Sequence, residues 1–279
     1  MPIFDTPEPI SATVELVVGY LRITASERAD TVVEVRPTDE SSDADLKAVK
    51  QTRVEYSGGR LLVKTPKLNS LFGKPGAVDV TIELPSGSSL HGGASVADVH
   101  AEGRLGDCDF KASVGNLNFG RTGKLRLSTG GGDINVDETA GHTEVSTGTG
   151  GIRVQSVDGT AVVKNSNGDS WLGRVSGDLR VSSANGDITI DEAGATIGAK
   201  TANGNIRVGA VARGSVVVET SFGELELGIR EGTAARLDLR SQFGRVENSL
   251  TASHGPNPSD ETVEVRARTS YGNISVHRA

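Results

Sequence analysis

Apolar and polar residues alternate in short runs along most of this chain, and from residue 130 to 208 one alternating phrase is written five times. Gly132-Asp133-Ile134-Asn135-Val136 returns as Gly150-Gly151-Ile152-Arg153-Val154, then as Gly168-Asp169-Ser170-Trp171-Leu172. It returns again as Gly186-Asp187-Ile188-Thr189-Ile190 and as Gly204-Asn205-Ile206-Arg207-Val208. Equivalent residues (134, 152, 170, 188, 206) lie 18 apart. A fixed period of this length in strand-forming residues is the signature of a β-solenoid, in which each repeat stacks on the next.

Writing the repeats in register gives four inward columns. One holds Ile134, Ile152, Ser170, Ile188, Ile206 and Leu225, and two residues later come Val136, Val154, Leu172, Ile190, Val208 and Leu227. Seven residues before the first column stand Leu127, Val145, Val163, Val181, Ala199 and Val218, and nine before it Leu125, Thr143, Ala161, Leu179, Ile197 and Val216. Spacing of i and i+2 puts each pair on one face of a strand. Each coil therefore offers two short strands, and stacking lines every column up with itself. The expected fold is all-β: a single-stranded parallel β-helix with coils of about 18 residues. No coil can bury its inward face alone, so stability is a nearest-neighbour property.

The pattern is looser elsewhere. Residues 12–36 and 53–63 read as strands, with Gly58-Gly59 at a hairpin or coil corner, and Ser41-Ser42-Asp43 either caps a short helix through Val49 or opens a loop. Residues 1–90 are read as an irregular N-terminal β cap and 91–279 as regular coils, interrupted at 249–261 by a loop containing Pro256 and Pro258. Residues 263–276 are read as the last coil, and the whole chain, 1–279, as one domain. Between Pro66 and Pro75 lie Leu68, Leu71 and Phe72. These either fold down to cap the open coil end, the favoured reading, or stay exposed as a patch for a partner.

Composition narrows the function only by exclusion. Glycine is abundant at 36 residues, which suits tight corners, and the net charge is −7 without a basic run, so nucleic acid is not an expected partner. No stretch is apolar enough to insert in a membrane, and the first residues lack a basic and apolar leader, so the expected location is cytoplasmic. The lone Cys108 excludes an internal disulfide and sits in an inward column. The five histidines keep no ligand spacing, and no nucleophile–base order or phosphate loop is visible, so no cofactor and no catalytic residue are expected.

Three sets of residues are candidate sites. Asp169, Asp187 and Asn205 continue an acidic and amide column beside the core. Calcium-binding solenoid repeats use a different, nine-residue spacing, so these side chains are expected to accept backbone N–H groups at the corner. Asn167, Asn185 and Asn203 precede the corner glycines and either ladder together or adopt left-handed backbone. Trp171 falls on an outward position beside Arg153, where the two could form a ligand platform; the alternative is a bulge that turns Trp171 inward and Ser170 out.

Several motifs carry a family resemblance: Thr6-Pro7-Glu8-Pro9-Ile10 before a strand, Ile82-Glu83-Leu84-Pro85-Ser86-Gly87, Asn165-Ser166-Asn167-Gly168-Asp169, Thr201-Ala202-Asn203-Gly204-Asn205 and Arg268-Thr269-Ser270-Tyr271-Gly272-Asn273-Ile274. With these the sequence resembles a bacterial β-strand-repeat family labelled "putative adhesin", a domain of unknown function. The resemblance covers nearly the whole chain and implies a right-handed β-helix, no known catalytic residues and surface exposure. The expected function is a non-enzymatic scaffold or adhesin-like module that presents flat sheet faces to a protein or polysaccharide. The alternatives are self-association into a filament and, behind it, a carbohydrate-active enzyme, for which these corners are too tight to build a cleft.

Overall fold

The computed structural model of the chain describes residues 1–66, 76–251 and 261–279. The candidate residues Leu68, Leu71 and Phe72 lie outside the described residues, as do Pro256 and Pro258. The described residues are all-β with one helix, and the repeats form a parallel β-helix. The described residues fall into two compact units, Met1–Asp137 and Glu138–Ala279.

The first unit contains the irregular region and the first regular coils. Strand Ser11–Ser26 runs unbroken where separate strands were expected, with Ala12, Val14, Leu16, Leu21 and Ile23 buried on one side. It pairs in parallel with Arg60–Lys64, Val78–Pro85 and Ser89–Arg104. The cap also uses antiparallel pairs, which no repeat pattern announces. Arg53–Ser57 pairs with Arg60–Lys64 around Gly58 and Gly59, whose φ of 55° and 74° are those of a tight hairpin turn. Asp30–Pro37 lies antiparallel on Val78–Pro85, and Ile3–Asp5 on Asp30–Pro37. Helix Asp43–Gln51 forms because Ser42 caps it, its hydroxyl accepting from the Asp45 N–H at 3.3 Å.

In the second unit the 18-residue period becomes strand register. Ala161 pairs with Leu179 and Leu179 with Ile197; Ile152 pairs with Ser170 and Ser170 with Ile188. Every sequence column named above is buried in this stretch. A further inward column, Val157, Val175, Ala193, Val211 and Ile229, closes the core at the end of the second strand of each coil and was not among the four read from the sequence.

The last rungs correct the expected order. Glu261–Tyr271 pairs with Gly214–Phe222 on one side and with Thr233–Phe243 on the other, while Ile274–Arg278 lies between Leu225–Ile229 and Val246–Asn248. The end of the chain is thus the penultimate rung, and residues 233–248, which precede it in sequence, form the outermost one. The physical reason is polarity. The outermost rung brings Asn248 to a position occupied by Val208, Leu227 and Val276 in other coils, and an amide is better placed at a wet end than inside a core.

Inside the core, Ser170 is 1% exposed between Ile152 and Ile188, and its hydroxyl has no hydrogen-bond partner among the described residues. A buried unpaired hydroxyl costs about 1–3 kcal/mol. Ser170→Ala is therefore expected to stabilise the protein by about 1 kcal/mol and raise Tm by about 2–4 °C. A lower Tm by calorimetry would show that the hydroxyl is satisfied.

Candidate interaction surface

The strand Ser170–Val175 keeps an unbroken register, with Arg153, Trp171 and Thr189 side by side on the outer face. The bulge reading is therefore corrected: Ser170 points in and Trp171 out, because a small hydroxyl fits between two isoleucines where an indole does not. The indole extends along its strand over Gly173, where a Cβ would stand 3.1 Å from its tip. The Arg153 guanidinium lies 3.9 Å from the ring centroid, a cation–π contact. One ring face is thus already occupied by the chain itself.

The polar corner columns are occupied too. Asn185 donates its amide to Asn167 at 2.9 Å, and Asn203 donates to Asn185 at 2.8 Å. No described residue other than glycine has a positive φ, so the left-handed alternative for these asparagines is not adopted. The Asp169 carboxylate accepts from the Asp187 N–H at 2.9 Å and Asp187 from the Asn205 N–H at 2.8 Å. On the inner side, Thr201 and Thr220 donate to the carbonyls of Gly186 and Gly204, the corner glycines of the coil before. Each coil's corner is therefore tied to its neighbour by its side chains.

At the far end of the asparagine ladder the chemistry changes. Asn203 is followed in space by Phe222, then Tyr271, then Phe243. Phe222 and Tyr271 stack with centroids 4.9 Å apart and planes 2° apart, and Phe243 and Tyr271 with 4.8 Å and 12°. Face-to-face aromatic contact normally accompanies burial, yet these three are 55%, 48% and 56% exposed. Their ring edges make an apolar ridge on the surface. Sequence reasoning passed over them, although the signal was present: each precedes a corner glycine (Gly223, Gly272, Gly244), as the three asparagines do.

The ridge borders a shallow hollow of about 470 Å³. Its lining includes Ser221, Ser270 and Gln242, the residues just before the three aromatics, together with Lys200, Glu219, Arg268 and Arg240. Lys200 pairs with Glu219 at 2.9 Å, and Asp238 gathers Arg240, Arg266 and Arg268 at 3.0, 3.6 and 3.8 Å. Cations therefore outnumber carboxylates here, in a chain whose net charge is −7. Among the described residues, no three His, Cys, Asp or Glu side chains are grouped to hold a metal ion. Burial pushes the Cys108 thiol up to about 12, so it is not a nucleophile at neutral pH. No described helix is long and apolar enough to cross a membrane.

The sequence profile of one family, Toastrack DUF4097, matches residues 20–277. The chain belongs to the Toastrack DUF4097 family. No curated protein matches this Toastrack chain. Among solved structures it is similar to a protein described as a putative adhesin from Bacteroides fragilis, at 13% identity over 99% of this chain and 95% of that one, with a TM-score of 0.39. It is also similar to one so described from Parabacteroides merdae, at 13% identity over 99% and 95% with a TM-score of 0.33. A third, from Parabacteroides distasonis, is described as a putative lipid binding protein, at 11% identity over 99% and 96% with a TM-score of 0.32.

Proposed function

We propose that this Toastrack chain is a non-enzymatic, adhesin-like interaction module, and that it holds an extended acidic polysaccharide along the ridge of Phe222, Tyr271 and Phe243. The observation that carries the reading is the exposed three-ring stack beside an excess of arginine and lysine. The exposed apolar ridge suits the carbon face of a sugar ring, the hydroxyls and amide lining the hollow suit its polar rim, and the cations suit carboxylates spaced along a polymer. The rigid repeat of the coils makes the site linear, which matches a chain ligand better than a compact one. An acidic polysaccharide is met outside the cytoplasm, so the reading goes with surface exposure and not with the cytoplasmic location expected from the N-terminal residues.

The test replaces Phe222, Tyr271 and Phe243 together by Asn. This prolongs a ladder the fold already uses at Asn167, Asn185 and Asn203, so the fold is expected to persist. Binding to a soluble polyuronate, followed by titration calorimetry, should weaken at least tenfold in the variant and should weaken with salt in the parent. A parent that binds no polyuronate, or a folded variant that binds one equally well, overturns the assignment.

A further inference from the structure

One edge of the outermost rung pairs with nothing among the described residues. Among the described residues, Thr233–Phe243 pairs only with Glu261–Tyr271, and Val246–Asn248 only with Ile274–Arg278. The Gly272 N–H donates to the Phe243 carbonyl at 3.2 Å. In a parallel pair the backbone groups of alternate residues face alternate sides. From Ala235 to Phe243 the odd-numbered residues thus bond inward to the ladder, and Arg236, Asp238, Arg240 and Gln242 direct their N–H and C=O groups away from it. The core is open here as well: Leu237 and Leu239 are only half-buried and Val246 is 45% exposed, where Val265, Ala267 and Ile274 one coil further in are buried. An edge of this length with an apolar side is a template for another strand.

We infer that this edge pairs antiparallel with the same edge of a second copy, about a two-fold axis passing through Leu239. The occupant follows from the charge sequence Arg236-Leu237-Asp238-Leu239-Arg240. A two-fold at Leu239 sets Leu239 on Leu239 of the second copy, Asp238 opposite Arg240 twice over, Arg236 opposite Gln242, and Ala235 opposite the exposed Phe243. All the pairs that must exchange hydrogen bonds are then even-numbered residues, the ones whose groups point away from the ladder. Moving the axis one residue back, to Asp238, sets Asp238 on Asp238 and Arg236 on Arg240, which is repulsive. An isologous contact of this kind closes on itself. It gives a dimer and not the filament that stacked coils could otherwise make.

The experiment uses the full chain. Sedimentation over a range of concentrations should show a monomer of 28.9 kDa in equilibrium with a dimer and nothing larger. In Leu239→Cys the two new thiols face each other at a non-hydrogen-bonded site, where Cα atoms stand about 4.5 Å apart, within disulfide reach. Mild oxidation should therefore convert this variant to a covalent dimer, and Leu237→Cys much less. Arg236→Pro removes an N–H that bonds nothing within the rung, so it should keep the parent circular dichroism spectrum and remain monomeric. A parent that stays monomeric at every concentration, assemblies that grow past a dimer, or cross-linking through residue 237 in preference to 239 each overturn the inference. Should Arg236→Pro not fold, the cysteine pair and the sedimentation result still decide.

Discussion

Val181→Asp is expected to cost about 4 kcal/mol or more and to leave little folded protein at 37 °C. Val181 is fully buried and paired with Val163 on one side and Ala199 on the other. The substitution removes the apolar contact of an inner rung and places a carboxylate where no cation or N–H donor is free to meet it. Costs above 4–5 kcal/mol arise from a short list of causes, and an unpaired buried charge is among them. The matched control is Thr189→Asp on the outer face. Thr189 stands between Trp171 and Arg207, so the new carboxylate gains a neighbouring guanidinium, and the change should stay within about 1 kcal/mol, the span of strand preference. Urea unfolding of the two variants measures both. Equal midpoints would mean that Val181 and Thr189 do not lie on opposite faces.

That contrast was legible before any coordinates, because a period of two within a strand and of 18 between strands fixes which side each residue takes. The same arithmetic places the ladders of Asn167, Asn185 and Asn203. It fails where the repeat is broken or where spatial order departs from chain order. The column of Val157, Val175, Ala193, Val211 and Ile229 lies next to turns that vary in composition, so its period is easily lost. The antiparallel strands of the first unit carry no repeat, and their pairing depends on contacts far apart in sequence, such as Val33 with Ile82. The exchange of the last two rungs is invisible to a register argument, since residues 233–243 and 261–271 fit the same columns equally well. Only the growing polarity of 242–248 hinted at which was outermost. The aromatic ridge was missed for a different reason: Phe222, Tyr271 and Phe243 continue the column of Asn167, Asn185 and Asn203, which was read only for its polar members.

Gly186→Ala is expected to destabilise nearly as much as a charge in the core, although it adds a single methyl group. Gly186 turns the corner between Leu179–Asn185 and Ile188–Ala193 with φ of +134°, a value that side chains rarely adopt. A Cβ built there would stand 2.1 Å from the Gly168 carbonyl oxygen and 2.5 Å from its carbon, both backbone atoms of the coil before. No rotamer change relieves that contact, since the obstacle is main chain. The two corners must part, and parting them loosens the bonds that hold the rungs in step, including Gly168 N–H to Asn185 O at 2.9 Å. Backbone strain alone contributes about 1–3 kcal/mol, and the enforced separation adds to it, so a loss of about 3 kcal/mol and a Tm lower by about 6–12 °C are expected. Gly198→Ala separates this effect from a general dislike of replacing glycine. Gly198 is the second residue of strand Ile197–Asn203, at an ordinary φ, and a Cβ there meets nothing within 4 Å. Removing a flexible residue from the unfolded chain should then leave stability unchanged or raise it by about 0.4–1 kcal/mol. Calorimetry on both variants decides the matter: if Gly186→Ala melts with the parent, the close stacking of the corners is not what selects glycine there.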